Sequence, residues 1–233
     1  MAKQRTIVGE NITPTLLREL GAVDRFPRTP AGFKRDGNWT HNYIIWTCHG
    51  YRESGNQNVG SLQITRRADS AKIFYLKVRQ EIDQTDELTN VVDATIKCRT
   101  DRLASPEEWK LSSRFSRAGK KDISELSTTE NGRMSSSAGR ATGDWCLFEA
   151  IQRLPFDSEI SLRFDLLEGM SLSKPGQHLS YRGTFPMRAN GKSMPLQCFS
   201  QLGSGILPCE YWLDDRHRLL AVISMNKAYI LDK

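Results

Sequence analysis

The chain has 233 residues, 38% of them hydrophobic, 9% aromatic and 26% charged, with a formal net charge of +6. This is the composition of an ordinary globular protein, which argues against a disordered, collagenous or membrane-spanning chain and gives enough length for a core without disulfide staples. The excess charge is local: residues 1–80 carry 13 bases against 6 acids, residues 144–233 carry 10 of each, and no run of Lys or Arg exceeds two, a pattern of solvated basic surface rather than of a specific nucleic-acid footprint.

Met1 to Glu10 has basic residues but no apolar stretch behind them, so the chain as written is expected to be cytoplasmic, and periplasmic or exported if a signal peptide has been removed. Thr13-Pro14 followed by Leu16, Leu17 and Leu20 predicts one short N-terminal helix closed by Gly21. Pro27, Pro30, Gly32 and Gly37 punctuate an extended arm. The expected organisation is therefore a helix and arm over residues 1–38 and a single antiparallel β-barrel-like domain over residues 39–233.

From Trp39 the hydrophobic period becomes two. Strands are expected at 41–48, around Leu62 and Ile64, at 71–82 with Phe74, Leu76, Val78 and Ile82 inward, at 88–99 with Asp93, Thr95, Lys97 and Arg99 outward, and at 107–117. Such spacing argues for an antiparallel meander. Residues 116–143 are rich in Ser, Gly, Lys and Arg and read as the most mobile segment, with one or two weak edge strands turning at Asn131-Gly132. Asp144 is expected to cap a helix over 145–153 that carries Trp145, Phe148, Ile151 and Gln152 at helical spacing and ends at Leu154-Pro155. Strands resume at 160–167, 177–186 and 194–201, the last two joined by Asn190-Gly191, and a hairpin from Glu210 to Ile223 turns at Asp214–His217 before a short piece at 229–231. The fold class is mainly β (α+β): about ten strands in a highly curved antiparallel sheet or open barrel wrapped on one inserted helix.

Chemistry-bearing motifs are weak. Five cysteines at wide spacings exclude a full disulfide framework by parity and read as reduced, mostly buried thiols, and the four histidines show no metal-ligand spacing. No metal and no cofactor is expected. Gly191-Lys192-Ser193 lacks the first glycine of a phosphate loop, since Pro186 stands there. Ser171-Leu-Ser-Lys174 and Ser224-Met-Asn-Lys227 match S-x-x-K without a helix to carry it, and Gly203-Ser-Gly205 reads as a bend. Asp214, Asp215, Arg216 and His217 fit a hairpin tip better than an acid–base set, because a tip exposes them. Catalytic residues therefore stay unknown.

The aromatic residues are spread along strands and helix, so most line the interior. If that lining encloses space, the candidate ligand-binding residues are Trp46, Phe74, Leu76, Val78, Trp109, Phe115, Trp145, Phe148, Phe164 and Trp212. A solid core is the alternative.

The helix Trp145-Cys-Leu-Phe-Glu-Ala-Ile-Gln-Arg-Leu-Pro155 after a meander, and the closing pattern Tyr-Trp-Leu-Asp-x-x-x-Arg-Leu-Leu from Tyr211 to Leu220, resemble an uncharacterised group of bacterial β-barrel domains of unknown function. That architecture is similar in turn to the half-barrel lipoprotein carriers. The resemblance spans roughly residues 40–231 and implies fold without catalytic residues. The expectation is a non-enzymatic binding domain with an apolar cavity for a lipid, acyl chain or hydrophobic peptide. The alternative is a structural or protein-interaction domain without a ligand; an enzyme or a weak nucleic-acid binder ranks behind both, and a protein partner is left open.

Overall fold

Apolar–polar alternation puts half of each strand's side chains on one face, and that face must be covered. In a computed structural model, which describes residue 17 and residues 26–48, 56–85, 87–117, 122–134, 140–189, 192–224 and 226–232, the cover is the chain's own sheet curled around a helix. The strands are β1 (Trp39–Thr47), β2 (Gln57–Ala68), β3 (Ile73–Thr85), β4 (Leu88–Arg99), β5 (Pro106–Arg117), β6 (Asp122–Arg133) and β7 (Ala141–Gly143). Helix α1 (Asp144–Arg153) follows, then β8 (Ser161–Glu168), β9 (Leu172–Ala189), β10 (Lys192–Leu202), β11 (Cys209–Leu213), β12 (Leu219–Ser224) and β13 (Lys227–Leu231).

All thirteen form one sheet in the order β6-β5-β4-β3-β2-β1-β13-β12-β11-β10-β9-β8-β7. Two meanders are joined where the first strand meets the last, with Tyr43 opposite Leu231 and Thr47 opposite Lys227. Every pairing is antiparallel except β7 with β8, where Ala141 faces Asp165 and Thr142 faces Leu166. Parallel neighbours need a crossover, and α1 is that crossover. The sheet curls without closing. Thr142 Oγ1 donates to the Leu103 carbonyl at 2.6 Å, which fastens the β7 edge to the β4–β5 turn in place of a strand ladder.

Every residue of α1 from Trp145 to Gln152 is buried. A helix buried on all sides is normally apolar all round. Here Glu149 and Gln152 are exceptions, and each is hydrogen-bonded. The helix stops at Leu154, whose extended backbone precedes Pro155. β12 is buried along Leu219–Ile223, so this strand has cover on both faces. Among the described residues no helix is long and apolar enough to cross a membrane.

The described residues form thirteen strands: the ten expected, the weak edge strands expected within 116–143 (β6 and β7, the two edges of the sheet) and the short piece expected at 229–231 (β13). Two expectations of local structure are corrected, and others fall outside the described residues. Asn131-Gly132 is no turn but lies inside β6, opposite Lys110 and Trp109. Gly132 is there because a Cβ would lie 2.0 Å from Trp109 Cε2. Asp144 is the first helical residue rather than the cap; Gly143 holds the cap position in extended conformation. The expected N-terminal helix falls outside the described residues except at Leu17, which is helical and fully buried. Ser135–Ser137 and the Asn190-Gly191 turn also lie outside them, although Ala189 pairs with Lys192 on either side of the latter.

The Asp214–His217 tip is a turn, as expected, but it does not expose all four groups: His217 stacks on Phe156 with ring centres 3.8 Å apart, and burial lowers its pKa to about 4 and raises that of Asp214. Asp214 Oδ1 accepts the backbone N–H of Arg216 at 2.9 Å and of Arg218 at 2.8 Å, an Asx arrangement, and His217 takes φ 65°. The tip also holds the arm. Thr29 Oγ1 donates to Asp214, and Arg216 donates to the carbonyls of Thr29, Pro30 and Ala31.

Candidate functional site

Two places have the geometry to be considered: the interior around α1 and the outer face of β2–β5. Seven of the residues expected to line a cavity (Phe74, Leu76, Val78, Trp145, Phe148, Phe164 and Trp212) belong to one continuous buried cluster. Phe148 stands at its centre, with edge-on rings of Tyr43 and Tyr229 both 5.4 Å away and Tyr211 at 6.5 Å. Trp212 is equally buried, but its neighbour Tyr211 is the one that meets Phe148, and Trp212 packs against Phe185 of β9 at 5.3 Å. Trp46 and Trp109 are half-buried at the cluster's margin, while Phe115 is half-exposed on β5 and outside it. Tyr43 and Tyr229 were not anticipated as lining, and Tyr211 only as one of the interior aromatics. Their positions in the period-two pattern of β1, β11 and β13 carried the signal.

The two polar residues buried within α1, Glu149 and Gln152, are pinned. Glu149 accepts from Arg66 Nε at 2.8 Å and from Arg153 Nε and Nη2 at 2.8 and 2.9 Å. Arg66 lies 4.3 Å over the Phe74 ring and also donates to the Asp36 and Gly37 carbonyls. Arg153 donates to the carbonyls of Thr100 and Asp101. One carboxylate thus ties the helix to β2, to the arm and to the β4–β5 turn.

Gln152 donates to the Phe148 carbonyl at 2.9 Å, and its Oε1 accepts the Leu219 N–H at 3.3 Å and faces His41 Nε2 at 3.1 Å. His41 stacks on Trp39 with ring centres 4.3 Å apart. Burial lowers its pKa to about 4, so it is neutral at physiological pH. Burial pushes Asp144 up to about 6, against the Trp145 and Gly169 N–H donors that favour its charge. It also raises the Tyr43 and Tyr211 phenols. His41 and the two phenols, neutral and enclosed, are poor acid–base groups, while Asp144 is half-buried with its two oxygens occupied by the Trp145 and Gly169 N–H groups. Among the described residues no group of three His, Cys, Asp or Glu side chains could hold a metal ion.

The sequence motifs resolve into structure. Lys174 Nζ pairs with Glu168 at 2.6 Å, and Ser224 Oγ donates to the Lys227 carbonyl at 3.2 Å rather than engaging its amine. Gly203 lets the backbone approach Gln177, whose Oε1 would be 2.4 Å from a Cβ there. Residue 191 and the side chains of 192 and 193 lie outside the described residues.

The second place is a recess of about 390 Å³ on the outer, polar face of the sheet, lined by Gln63 of β2, Lys77 and Arg79 of β3, Asp93 and Thr95 of β4, and Lys110 and Ser112 of β5. Pairing register builds it. Gln63 faces Arg79, Arg79 faces Asp93 and Asp93 faces Ser112, while in the next row Lys77 faces Thr95 and Thr95 faces Lys110. Asp93 accepts from Arg114 Nη1 at 2.6 Å and lies 3.5 Å from Arg79, which also pairs with Glu81 at 2.7 Å. The recess was not foreseen: alternation marked these side chains as outward, but cross-strand neighbours 14 to 19 residues apart in sequence are set by register.

The fold is that of a β-barrel-like domain of unknown function. No protein-family model and no curated protein matches the chain. Among solved structures, the chain is similar to a β-barrel-like protein of domain of unknown function DUF1849 from Brucella abortus, with a TM-score of 0.50, 9% identity, and coverage of 85% of this chain and 97% of that one. At this identity the likeness concerns the fold alone. The Aeromonas veronii immune modulator A aligns over 90% of this chain and 75% of its own at 4% identity, with a TM-score of 0.27.

Proposed function

We propose that this protein is a non-enzymatic binding domain in which the helix-filled interior is scaffold and the outer polar face of β2–β5 is the ligand surface. The observation that carries the reading is the placement of the 390 Å³ recess on that face, opposite an inner face whose aromatic residues pack on α1 as one cluster. The neutral, enclosed state of His41 supports binding over catalysis. Concave sites with a few convergent polar groups are the usual form of a ligand site.

The alternative is a lipid, acyl chain or hydrophobic peptide held between helix and sheet. Its supporting observation is the unclosed seam at Thr142 and Leu103, through which α1 could yield space. Amide-resolved NMR of the folded protein separates the two. With palmitate as the apolar probe and maltohexaose and inorganic phosphate as polar probes, the outer-face reading expects shifts at 77–79, 93–95 and 110–112 with a polar probe and none along α1 with palmitate. Palmitate shifts along α1, with the recess silent to both polar probes, would overturn it.

A further inference from the structure

In one cross-strand row of the outer face Thr95 has Lys77 on one side and Lys110 on the other. Adjacent strands are about 4.8 Å apart, so the two lysine stems leave the sheet about 10 Å from each other, flanking the threonine hydroxyl. Both ammonium groups are exposed. Among the described residues neither has a carboxylate within 4.0 Å.

That contrasts with the cations around them. Lys97 and Arg99 share Glu107 at 3.2 and 2.9 Å, Arg114 holds Asp93 at 2.6 Å, and Arg79 holds Glu81 at 2.7 Å. Asp93, the acid that lines the recess, is therefore already neutralised by Arg114 and Arg79. Lys77 and Lys110 stand without such a carboxylate in one concavity, and the concavity concentrates their field outward. The two like charges, on β3 and β5 with β4 between them, repel each other weakly. An anion seated between them removes that repulsion.

We infer that the recess binds a phosphate-type oxyanion, held by the Lys77 and Lys110 ammonium groups and the Thr95 hydroxyl. This rests on the outer face being the ligand surface. A group with several acceptor oxygens can bridge two separated point charges, whereas a single planar carboxylate is better matched by an arginine fork. Both unneutralised cations here are lysines. Ser112 and Gln63 add neutral donors beside the row, and the recess is several times the volume of a phosphate group. Room remains for a carrier such as a glycerol or sugar unit.

The test is a titration of the folded, isotope-labelled protein with inorganic phosphate, beside the double variant Lys77→Gln/Lys110→Gln. Both side chains are exposed, so the variant should keep the wild-type thermal melt. The expected result is saturable shifts at 77, 95 and 110, weakened about tenfold in the double variant and weakened by added salt. Sedimentation with phosphatidylglycerol vesicles, against phosphatidylcholine vesicles, distinguishes the sources. Binding to the anionic vesicles that the double variant loses assigns a lipid headgroup, and phosphate shifts without vesicle binding assign a soluble phosphate compound. The inference is overturned if neither probe binds, or if both variant and wild type respond alike. Recess shifts with maltohexaose but not with phosphate would overturn the oxyanion and leave the outer-face reading standing; palmitate shifts along α1 with a silent recess would overturn both.

Discussion

Glu149 of α1 and Arg66 of β2 meet at 2.8 Å with neither side chain reaching solvent. The pair explains how a ten-residue helix can be surrounded by sheet while carrying a charge at its middle. Arg153, one helical turn on, completes the neutralisation from the same face of the helix and reaches out to the β4–β5 turn. Removing one member strands the others. Glu149→Leu is expected to cost about 3–5 kcal/mol, whereas Glu149→Leu combined with Arg66→Met should recover most of it. Urea unfolding of the two single variants and the double variant measures this; equal losses in single and double variants would show that the pair does not act as a unit.

Gly132 sits under Trp109 across the β5–β6 pair, leaving no room for a methyl group. Gly132→Ala should cost about 1–3 kcal/mol through overpacking. In the background of Trp109→Leu the same change should cost much less, because the ring it meets is gone. Thermal melts of the four proteins in this cycle give the coupling directly.

This glycine also shows where the sequence was silent. β4 was legible to its end residues, 88 and 99, because Ala94, Ile96 and Cys98 alternate with polar residues and the strand pairs on both sides. β6 was legible only as a weak edge strand within 116–143, without its bounds, since little apolar periodicity marks it and Asn131-Gly132 has the composition of a turn. Backbone pairing to β5 and the room needed by Trp109 decide its structure instead. The interior was legible as a set of aromatic residues, but the assignment of Trp212 to the helix side was not, because one residue of offset exchanges it with Tyr211. The recess could not be read at all: Lys77, Thr95 and Lys110 become neighbours only through register.

Two buried groups set opposite pH dependences. The native His41 pKa of about 4 lies below its unfolded value of 6.5, so the unfolded state gains a proton first as pH falls. Stability is lost from pH 6.5 down to about 4, by about 3 kcal/mol for a shift of this size. Asp144, raised from 3.8 to about 6, destabilises the native state above about pH 6, and that penalty is relieved as pH falls toward 3.8. The stability difference between wild type and His41→Phe should therefore shrink or reverse on acidification through the His41 window. Asp144→Asn should show the opposite trend against wild type. Denaturant unfolding across this range reads both, and a difference independent of pH would refute the assignment for that residue.

The arm is strapped to the β11–β12 tip through Asp214, Arg216 and the carbonyls of Thr29, Pro30 and Ala31. Asp214→Ala removes the Thr29 contact and the Asx turn together. Trypsin is expected to cut after Arg28, Lys34 or Arg35 sooner in this variant than in the wild type, before the sheet itself is attacked. Unchanged cleavage would mean that Arg66 and Trp39, which also bond the arm, suffice to hold it.

The central claim is that α1 fills the curled sheet as scaffold and that ligands meet the outer face. Native mass spectrometry of the purified protein, released gently from its host and never exposed to detergent, tests it most directly. The account predicts a folded chain at its bare mass or carrying a polar adduct that the Lys77→Gln/Lys110→Gln variant loses. A stoichiometric apolar adduct that survives in that variant and departs only when the protein unfolds would contradict it.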